Sequence, residues 1–486
     1  MKRKKLIIIS ILLLSFIILL GVGSYHTYTW WNETYIKIND VVMRRDITEL
    51  DLHSQPLPPM EDISQLSNLE TLIITDTGLT EQQYELLHAN LPTCNIIWSI
   101  PFQSKYLSMD TTCLSLSTIS NEDISTLNYF PNLTALDVTA CSDNSLVVQL
   151  LNTYPDLQIN YNLTIGSTKV SHIDTQATLE DANPTQVTEV LPYLPSLAEI
   201  TFTGNVPGNE QILQWIQQYP NIKFIWTFDV FGVPASSIDT ELILNNIPIS
   251  STEEVEAFFP YFYDLQRVEM CNCGLPSEEL DALWKRNPET RIIWNIFVGK
   301  CELRTDDIAF MPYHFGYKDG SQINDADAVE LKYCVDIICM DIGHMAISDY
   351  SFLEYMPNMQ YLIIADTDGT DFSVLSTLKE LKYLEVFMTR FNQAEVLTGL
   401  TKLEDLNIGT SQIDNIEPLK QMTWLKNLWL PACVKVNATE RRELYAALPD
   451  TNVMFLGAGS TGNGWRKLPN YFEMRDILDM PYKGGW

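Results

Sequence analysis

One glycine-rich segment near the C-terminus has the spacing of a nucleotide-binding loop. Residues Val453–Leu456 have the composition of a strand, and residues Gly457–Gly462 follow them as GxGxxG. A dinucleotide site also needs a helix on the pyrophosphate, a second strand and an acidic residue about 20 positions later. Only 24 residues follow Gly462, and Pro469 delays the next helix. We therefore expect this segment to be a loop that ends the last turn of the structure, rather than a nucleotide-binding site. No cofactor is expected.

The histidines and cysteines form no recognisable catalytic or metal-binding frame. HExxH and GxSxG are absent, and the six histidines are scattered. Asp341 and His344 are close in sequence, but such pairs also arise by chance. The nine cysteines are an odd number, and neither Cys271-x-Cys273 nor the Cys334/Cys339 spacing matches a zinc pattern. We therefore expect no metal and no catalytic residues, and interpret the protein as one that is not an enzyme.

Apolar residues recur near the C-terminus with a fixed period of 22. The clearest series is Leu362, Leu384, Leu406 and Leu428. Each has an apolar residue three positions before it and another two positions after it, which gives the local pattern LxxLxL. The same pattern begins at residues 69, 133, 197 and 265, at intervals of 64, 64 and 68. Fixed periods of this kind indicate stacked turns rather than a compact globule.

This pattern resembles the leucine-rich repeat family, in which LxxLxL is extended to a ninth position that holds Asn, Cys, Thr or Ser. Cys141, Cys273 and Cys433 stand at that position, so we expect them to satisfy buried backbone groups rather than bind metal or form disulfides. The resemblance implies an α/β solenoid, a curved stack of roughly 17 turns with a parallel concave sheet and short helices on the convex side. The 22-residue block is similar to bacterial exported proteins of the internalin type.

The larger period adds a longer helix to each unit. Thr80 and Gln83 form a predicted capping box for the first of these helices. A proline ends each helix, and an aromatic residue follows six positions later within an alternating, strand-like segment. We expect these aromatics to fill the core of their own units, although a row of stacking sites for sugars or peptides is the alternative. They are Trp98, Tyr161, Trp226, Trp294 and Phe455.

The best binding candidates lie on the C-terminal strands. The x positions of LxxLxL face the concave surface, where neighbouring strands bring side chains within reach of one another. We therefore predict an exposed apolar patch, rimmed by carboxylates at 366, 385, 404 and 405. Ordinary surface residues, or residues covered by the terminal segment, are the alternative. The predicted ligand-binding residues are Tyr361, Ile363, Tyr383, Phe387, Met388 and Trp429.

Charge and the N-terminus bear on location and partners. Lys plus Arg is 31 against 62 for Asp plus Glu, a net charge of −31, which disfavours nucleic acid as a partner. Four cations at residues 2–5 precede an apolar run from Leu6 to Val22. This order predicts a signal-anchor with the bulk of the chain outside the cell membrane. A cleaved signal peptide, with cleavage near residues 22–24 and secretion, is the alternative.

These observations predict a membrane-tethered repeat protein that binds an extracellular protein or polysaccharide through its concave sheet, without catalysis. A structural or assembly factor of the cell envelope is the alternative function, and an enzyme with an unrecognised site is a third. The predicted organisation is a basic tail at 1–5, a transmembrane signal-anchor at 6–23, an N-terminal cap at 25–46, long-unit repeats at 47–315, an acidic loop at 316–330, 22-residue repeats at 331–456 and a C-terminal cap at 457–486.

Overall fold

The computed structural model describes residues 2–315, 323–457 and 461–480. Residues 316–322 of the predicted acidic loop, the centre of the glycine-rich segment and residues 481–486 lie outside this range. The chain forms two compact units, which meet in sequence at Trp226 and Thr227. Each unit alternates short parallel strands with helical segments, which confirms the expected α/β solenoid class. The curvature and the number of turns remain predictions.

The chain begins with a long apolar helix, α1 (Lys2–Thr34). Its side chains from Ile8 onward are not buried against the rest of the protein, and among the described residues it is the one helix long and apolar enough to cross a membrane. The helix continues past the predicted boundary at residue 23. Arg45 holds its C-terminal end through a 2.7 Å hydrogen bond to the carbonyl of Asn32.

An antiparallel hairpin follows, and it is the first copy of a repeated feature. Hairpins begin at residues 35, 99, 162, 227 and 295, so they recur at intervals of 64, 63, 65 and 68 residues. Residues 35–44, within the predicted N-terminal cap at 25–46, therefore share the hairpin of the long units. Positive φ angles at Asn39 and Asp40, and at Phe231 and Gly232, form the tight turns that suit two-residue hairpin loops.

In the first unit, each later hairpin follows a set of three parallel strands. In the first of these sets, the last strand, β5, continues directly into the hairpin. The elements up to Trp226 are β1 (Tyr35–Ile38), β2 (Val41–Arg44), β3 (Glu49–Asp51), α2 (Met60–Ile63), β4 (Thr71–Ile74), α3 (Glu81–Asn90), β5 (Asn95–Phe102), β6 (Lys105–Ser108), β7 (Cys113–Ser115), α4 (Asn121–Thr126), β8 (Ala135–Asp137), α5 (Asn144–Thr153), β9 (Gln158–Asn160), β10 (Asn162–Ile165), β11 (Thr168–Ser171), β12 (Gln176–Glu180), α6 (Pro184–Val190), β13 (Glu199–Thr203), α7 (Asn209–Gln218) and β14 (Lys223–Ile225).

The second unit opens with a hairpin and a set of three strands, continues with a second hairpin, and then forms a continuous seven-stranded parallel sheet, in chain order, from β22 to β28. Short 3-10 segments connect most of its strands. The elements from Thr227 are β15 (Thr227–Val230), β16 (Val233–Ser236), β17 (Glu241–Ile243), α8 (Thr252–Glu256), β18 (Arg267–Glu269), α9 (Ser277–Arg286), β19 (Arg291–Ile293), β20 (Asn295–Val298), β21 (Cys301–Arg304), β22 (Ala309–Phe310), α10 (Asp325–Ala328), β23 (Cys339–Asp341), β24 (Tyr361–Ile363), β25 (Tyr383–Glu385), β26 (Asp405–Asn407), α11 (Glu417–Lys420), β27 (Asn427–Trp429), α12 (Ala438–Ala447), β28 (Asn452–Met454) and α13 (Pro469–Ile477).

The 22-residue period appears directly in the pairing of this sheet. Leu362 pairs with Leu384, Leu384 with Leu406, and Leu406 with Leu428, and all four are fully buried. Burial of an aliphatic side chain of this size contributes about 2 kcal/mol. A single turn cannot bury its leucines alone, so the stack of turns forms the core.

The cysteines at the ninth position bond backbone groups of the preceding turn, as predicted. Cys141 donates to the carbonyl of Leu116 at 3.6 Å, Cys273 to that of Leu244 at 3.5 Å, and Cys433 to that of Ile408 at 3.2 Å. All nine cysteines are free thiols in the structure. These contacts satisfy carbonyls that lie inside the stack, away from water.

Two other predictions of local structure are confirmed. Thr80 and Gln83 form the capping box of α3, with both reciprocal hydrogen bonds present. The aromatic residues that follow the helix-ending prolines are all buried within their own units, and therefore do not form an exposed row of stacking sites. They are Trp98, Tyr161, Trp226, Trp294 and Phe455.

The hydrogen bond from the Cys433 thiol to the carbonyl of Ile408 gives a first prediction. Cys433→Ala is expected to lower the free energy of unfolding by about 1–3 kcal/mol, because the carbonyl of Ile408 loses a buried donor. Urea unfolding followed by tryptophan fluorescence measures the change. The matched control is Cys113→Ala, at the exposed cysteine, which should change stability by less than about 0.5 kcal/mol. Equal effects of the two substitutions would contradict the structural role of the ladder thiol.

Candidate binding face of the C-terminal sheet

The outer face of the C-terminal sheet is the side of β22–β28 opposite the buried leucines. Side chains alternate along each strand, and the register aligns the outward ones into columns across the sheet. One column contains Cys339, Tyr361, Tyr383, Asp405 and Asn427. The neighbouring column contains Asp341, Ile363, Glu385, Asn407 and Trp429. Because paired strands lie about 4.8 Å apart, adjacent members of a column can touch.

Five of the six predicted ligand-binding residues join a buried cluster on this side of the sheet, so the six do not form an exposed patch. Tyr361, Ile363, Tyr383, Phe387 and Trp429 are each at most 5% exposed. The predicted rim is wrong in part as well, because Glu385 and Asp405 are buried. Met388 alone of the six is open to solvent, at 45%, and its backbone is left-handed with φ 57°.

The cause is a covering segment, residues 461–480, which contains a 3-10 turn at Trp465–Lys467 and helix α13. The Trp465 ring lies 5.3 Å from the ring of Tyr383 and 5.2 Å from that of Trp429, between centroids. Tyr471, Met474 and Leu478 join the same buried cluster. Cover by the terminal segment, an alternative to an exposed patch, is what the structure shows.

The described part of the covering segment lies along the outer face, and the closure of the end of the stack by residues 457–486 remains a prediction. The described part runs back across the outer face to β23, five strands from the last strand β28 in the order of the sheet. At that point the thiol of Cys339 donates to the carbonyl of Met474 at 3.7 Å. The segment is therefore bound along the face, where an external ligand of a repeat sheet would lie.

The strongest polar contact of the covering segment is made to Glu385. Arg466 donates to both carboxylate oxygens, at 2.6 and 3.0 Å, and Trp465 donates its indole N–H to the same carboxylate at 2.9 Å. The hydroxyl of Tyr383 also bonds to Glu385. Glu385 is fully buried, whereas the Arg466 side chain is 34% exposed. Forked, charge-assisted bonds of this kind are strong and directional.

A second polar contact lies one strand further on. Asn470 donates to Glu404 and to Asp405, both at 3.0 Å. Asp405 also accepts a bond from Asn427 at 2.7 Å. Burial raises the pKa of Asp405 despite these donors, because removing a carboxylate from water disfavours its charged form. The segment thus holds carboxylates that would otherwise face solvent.

Two further groups on this face have raised pKa values. Burial, and then the nearby charge of Glu385, raise the pKa of Asp341 to about 6, although a bond from the backbone N–H of Gly343 opposes the change. Burial, and then the charge of Glu385, raise the pKa of Tyr383 well above its ordinary value. The face is therefore one in which ionisation is costly.

A separate network of ion pairs lies on the outer face of β17–β19 and the neighbouring hairpin. Glu269 accepts from Arg304 and Arg267, both at 2.8 Å, and Asp306 pairs with the same two arginines. Hydrogen bonds from Arg304, and then from Arg267, lower the pKa of Glu269 to about 2. Every carboxylate in this network has a cation, so the network offers no free anionic or cationic site.

The candidate chemical motifs do not come together as a catalytic or metal site. Asp341 bonds Gly343, whereas His344 pairs with Asp366 at 2.8 Å. Across the described ranges, no group of three or more His, Cys, Asp or Glu residues could hold a metal ion. Burial raises the pKa of Cys334 and Cys339, which keeps these thiols protonated and poorly nucleophilic.

The glycine-rich segment is described only at its two ends, since residues 458–460 lie outside the described range. At its far end, the carbonyl of Gly462 accepts a bond from the indole N–H of Trp429 at 3.2 Å. Its described part thus contacts the outer face and leads into the covering segment.

Sequence reasoning missed Trp465, Arg466 and Asn470, which hydrogen-bond carboxylates of the predicted rim from 65 to 81 positions away. One signal could have identified them. The acidic outer columns need cations, and residues 465–467 place Arg and Lys directly after a tryptophan. That composition is typical of an anchor residue and an ion-pair partner at an interface.

A scan against protein-family models finds no match for this chain, and a search of curated proteins finds none either. Among solved structures, an internalin from Listeria monocytogenes is 16% identical, covers 86% of this chain and 84% of its own, and gives a TM-score of 0.24. A leucine-rich repeat protein from Leptospira interrogans is 16% identical, covers 85% of this chain and 96% of its own, and gives 0.28. At such scores the likeness does not itself establish the fold, which rests on the repeat pattern and strand register.

The Glu385–Arg466 pair gives a second prediction. Arg466→Ala is expected to lower the free energy of unfolding by about 3 kcal/mol, because it leaves a buried carboxylate without its cation. Urea unfolding measures the loss. Lys467→Ala, at the exposed neighbouring cation, is the matched control and should be nearly neutral. Arg466→Lys, which keeps a cation beside Glu385, should lose less than Arg466→Ala does, and equal losses would show that the charge pair is not the cause.

The two shifted carboxyls predict opposite pH dependences. The raised pKa of Asp341 means that its contribution to stability is complete below about pH 4 and is lost as pH rises to about 6. The lowered pKa of Glu269 means that its contribution is present above about pH 4.5 and is lost as pH falls toward 2.

Urea unfolding from pH 3 to 7 checks both signs. Asp341→Asn should gain on the wild type as pH rises from 4 to 6, since the amide oxygen still accepts from Gly343. The difference in the free energy of unfolding between wild type and the less stable Glu269→Gln should shrink as pH falls below 4.5. Parallel curves for wild type and Asp341→Asn would contradict the assigned shift.

Proposed function

We propose that this chain of leucine-rich repeats is an exported, membrane-tethered scaffold that binds a protein or polysaccharide outside the membrane. The observation that carries the proposal is helix α1. Its described side chains are unburied, and isoleucines, leucines and phenylalanine from Ile8 to Leu20 are each more than half exposed. Such a surface is stable in lipid and costly in water.

The end of this helix supports the same orientation. Tyr25, Tyr28, Trp30 and Trp31 are all largely exposed and follow the apolar stretch. Tyrosine and tryptophan prefer the boundary between lipid and water, and cations prefer the cytoplasmic side. With residues 2–5 inside, the aromatic residues mark the outer boundary and the repeats lie outside.

The binding surface that we propose is the outer face of the long-unit sheets, because the covering segment occupies the outer face of the C-terminal sheet. In the sheet β12–β14, outward side chains such as Gln176, Thr178 and Glu180 are exposed, whereas Leu179 between them is buried. Uncharged polar side chains and acidic side chains on a rigid sheet can form hydrogen bonds to a protein or polysaccharide without large rearrangement.

The test measures binding on intact cells that carry the full chain. A labelled fraction of exported proteins and polysaccharides from the producing cells is added outside, and bound label is measured by flow cytometry. Wild type should bind, and Gln176→Arg with Thr178→Arg should lose at least tenfold in bound label while unfolding as wild type does. The charge-matched control is Gln217→Arg with Gln218→Arg, on the exposed side of α7.

A second arm tests the orientation. Glutamate at residues 2–5 in place of the four cations should reduce binding on intact cells and restore it after lysis. Equal binding by wild type and both double variants would contradict the proposed surface. Binding that requires lysis for the wild type would contradict export.

A further inference from the structure

We propose that the outer face of the C-terminal sheet is a peptide-binding site for a helical segment of a partner protein that presents tryptophan followed by arginine. The covering segment occupies this site in the structure. The inference rests on the proposed function, because it treats the chain as a binding scaffold, and it adds a second surface together with the chemistry of its partner.

The position of the covering segment supports this reading. A cap is expected at the open end of a repeat stack, whereas the described part of this segment extends along the face from Met454 of β28 back to Cys339 of β23. Trp429 contacts its start through Gly462, and Cys339 contacts its helix through Met474. The segment therefore contacts the strands through outward side chains, as a bound peptide does.

The contacts are those of a recognition site. Trp465 inserts between Tyr383 and Trp429, and Arg466 forms a two-pronged bond to Glu385. Tryptophan, tyrosine and arginine at the centre of a buried patch are the residues that dominate binding energy at interfaces. Asn470 fixes the position of the segment along the sheet, because it donates hydrogen bonds to Glu404 and Asp405 on the next strand.

Charge defines which partner fits. The outer face presents Asp341, Glu385, Glu404 and Asp405. Glu404 pairs with Lys426 of the sheet, whereas Glu385 receives its guanidinium from Arg466 of the covering segment. A segment without that cation would bury Glu385 unpaired, which is strongly unfavourable. The site thus selects an arginine at one position, next to an aromatic residue that fills the space between Tyr383 and Trp429.

Competition within the chain sets the condition for partner binding. The covering segment is attached to β28, so its effective concentration at the site is high, and a free peptide must displace it. Weakening the attached segment should therefore make the site available to an identical peptide added in solution, without change to the sheet.

The experiment uses the full chain in detergent micelles and a fluorescein-labelled peptide with the sequence of residues 461–480. Fluorescence anisotropy gives the dissociation constant. The variant Trp465→Ala with Arg466→Ala should bind the peptide at least tenfold more tightly than wild type does. Lys467→Ala should behave as wild type, because Lys467 is exposed.

Specificity is tested on both sides of the contact. A peptide that carries Arg466→Ala should bind the double variant at least tenfold more weakly than the parent peptide. Adding Glu385→Gln to the double variant should reduce the preference for arginine. Where circular dichroism shows that the double variant is not folded, Arg466→Gln alone replaces it in the same assay.

Several results would overturn the inference. They are equal peptide binding by wild type and a folded weakened variant, equal binding of the parent and Arg466→Ala peptides, and a dimer in which two copies exchange segments and exclude the peptide. Loss of ligand on the long-unit face leaves this assay unchanged, so the two proposals fail separately.

Discussion

The in-register pairing of successive turns is the constraint on which the rest of the structure depends. One turn buries too little apolar surface to be stable, and stacking gives each leucine a neighbour from the next turn. The same stacking removes loop carbonyls from water, so each must find a donor within the stack. Cys141, Cys273 and Cys433 supply such donors. A shift of one residue would expose the leucines and leave the carbonyls unpaired.

That register also determines what the outward side chains can do. A residue on one strand lies beside the residue 22 positions later on the next, so polar or aromatic side chains become continuous columns. On β23–β27 the columns combine aromatic rings with Asp341, Glu385 and Asp405. A carboxylate beside aromatic rings remains charged at little cost when water reaches it. When it is buried, it needs an ion-pair partner. The covering segment provides that partner in Arg466.

The two kinds of repeat use the sheet differently. The long units interrupt the parallel ladder with an antiparallel hairpin about every 64 residues, whereas the C-terminal sheet, which contains the 22-residue repeats, continues without interruption through seven strands. The uninterrupted sheet is wide enough for a segment of 20 residues to lie across it. The short sheets of the long units keep polar outward residues such as Gln176 and Thr178 exposed.

The sequence by itself determined the repeat, its period, the inward leucines and the ladder thiols, because each depends on spacing between residues near in sequence. It also contained the hairpin repeat, in alternating strands joined by two-residue turns such as Phe231-Gly232, although the pattern was not recognised there. Only the tertiary structure decided whether Tyr361, Tyr383 and Trp429 are exposed or buried. Their burial depends on a segment whose residues Trp465 and Arg466 return from the chain's end, and no local period records which face such a segment covers.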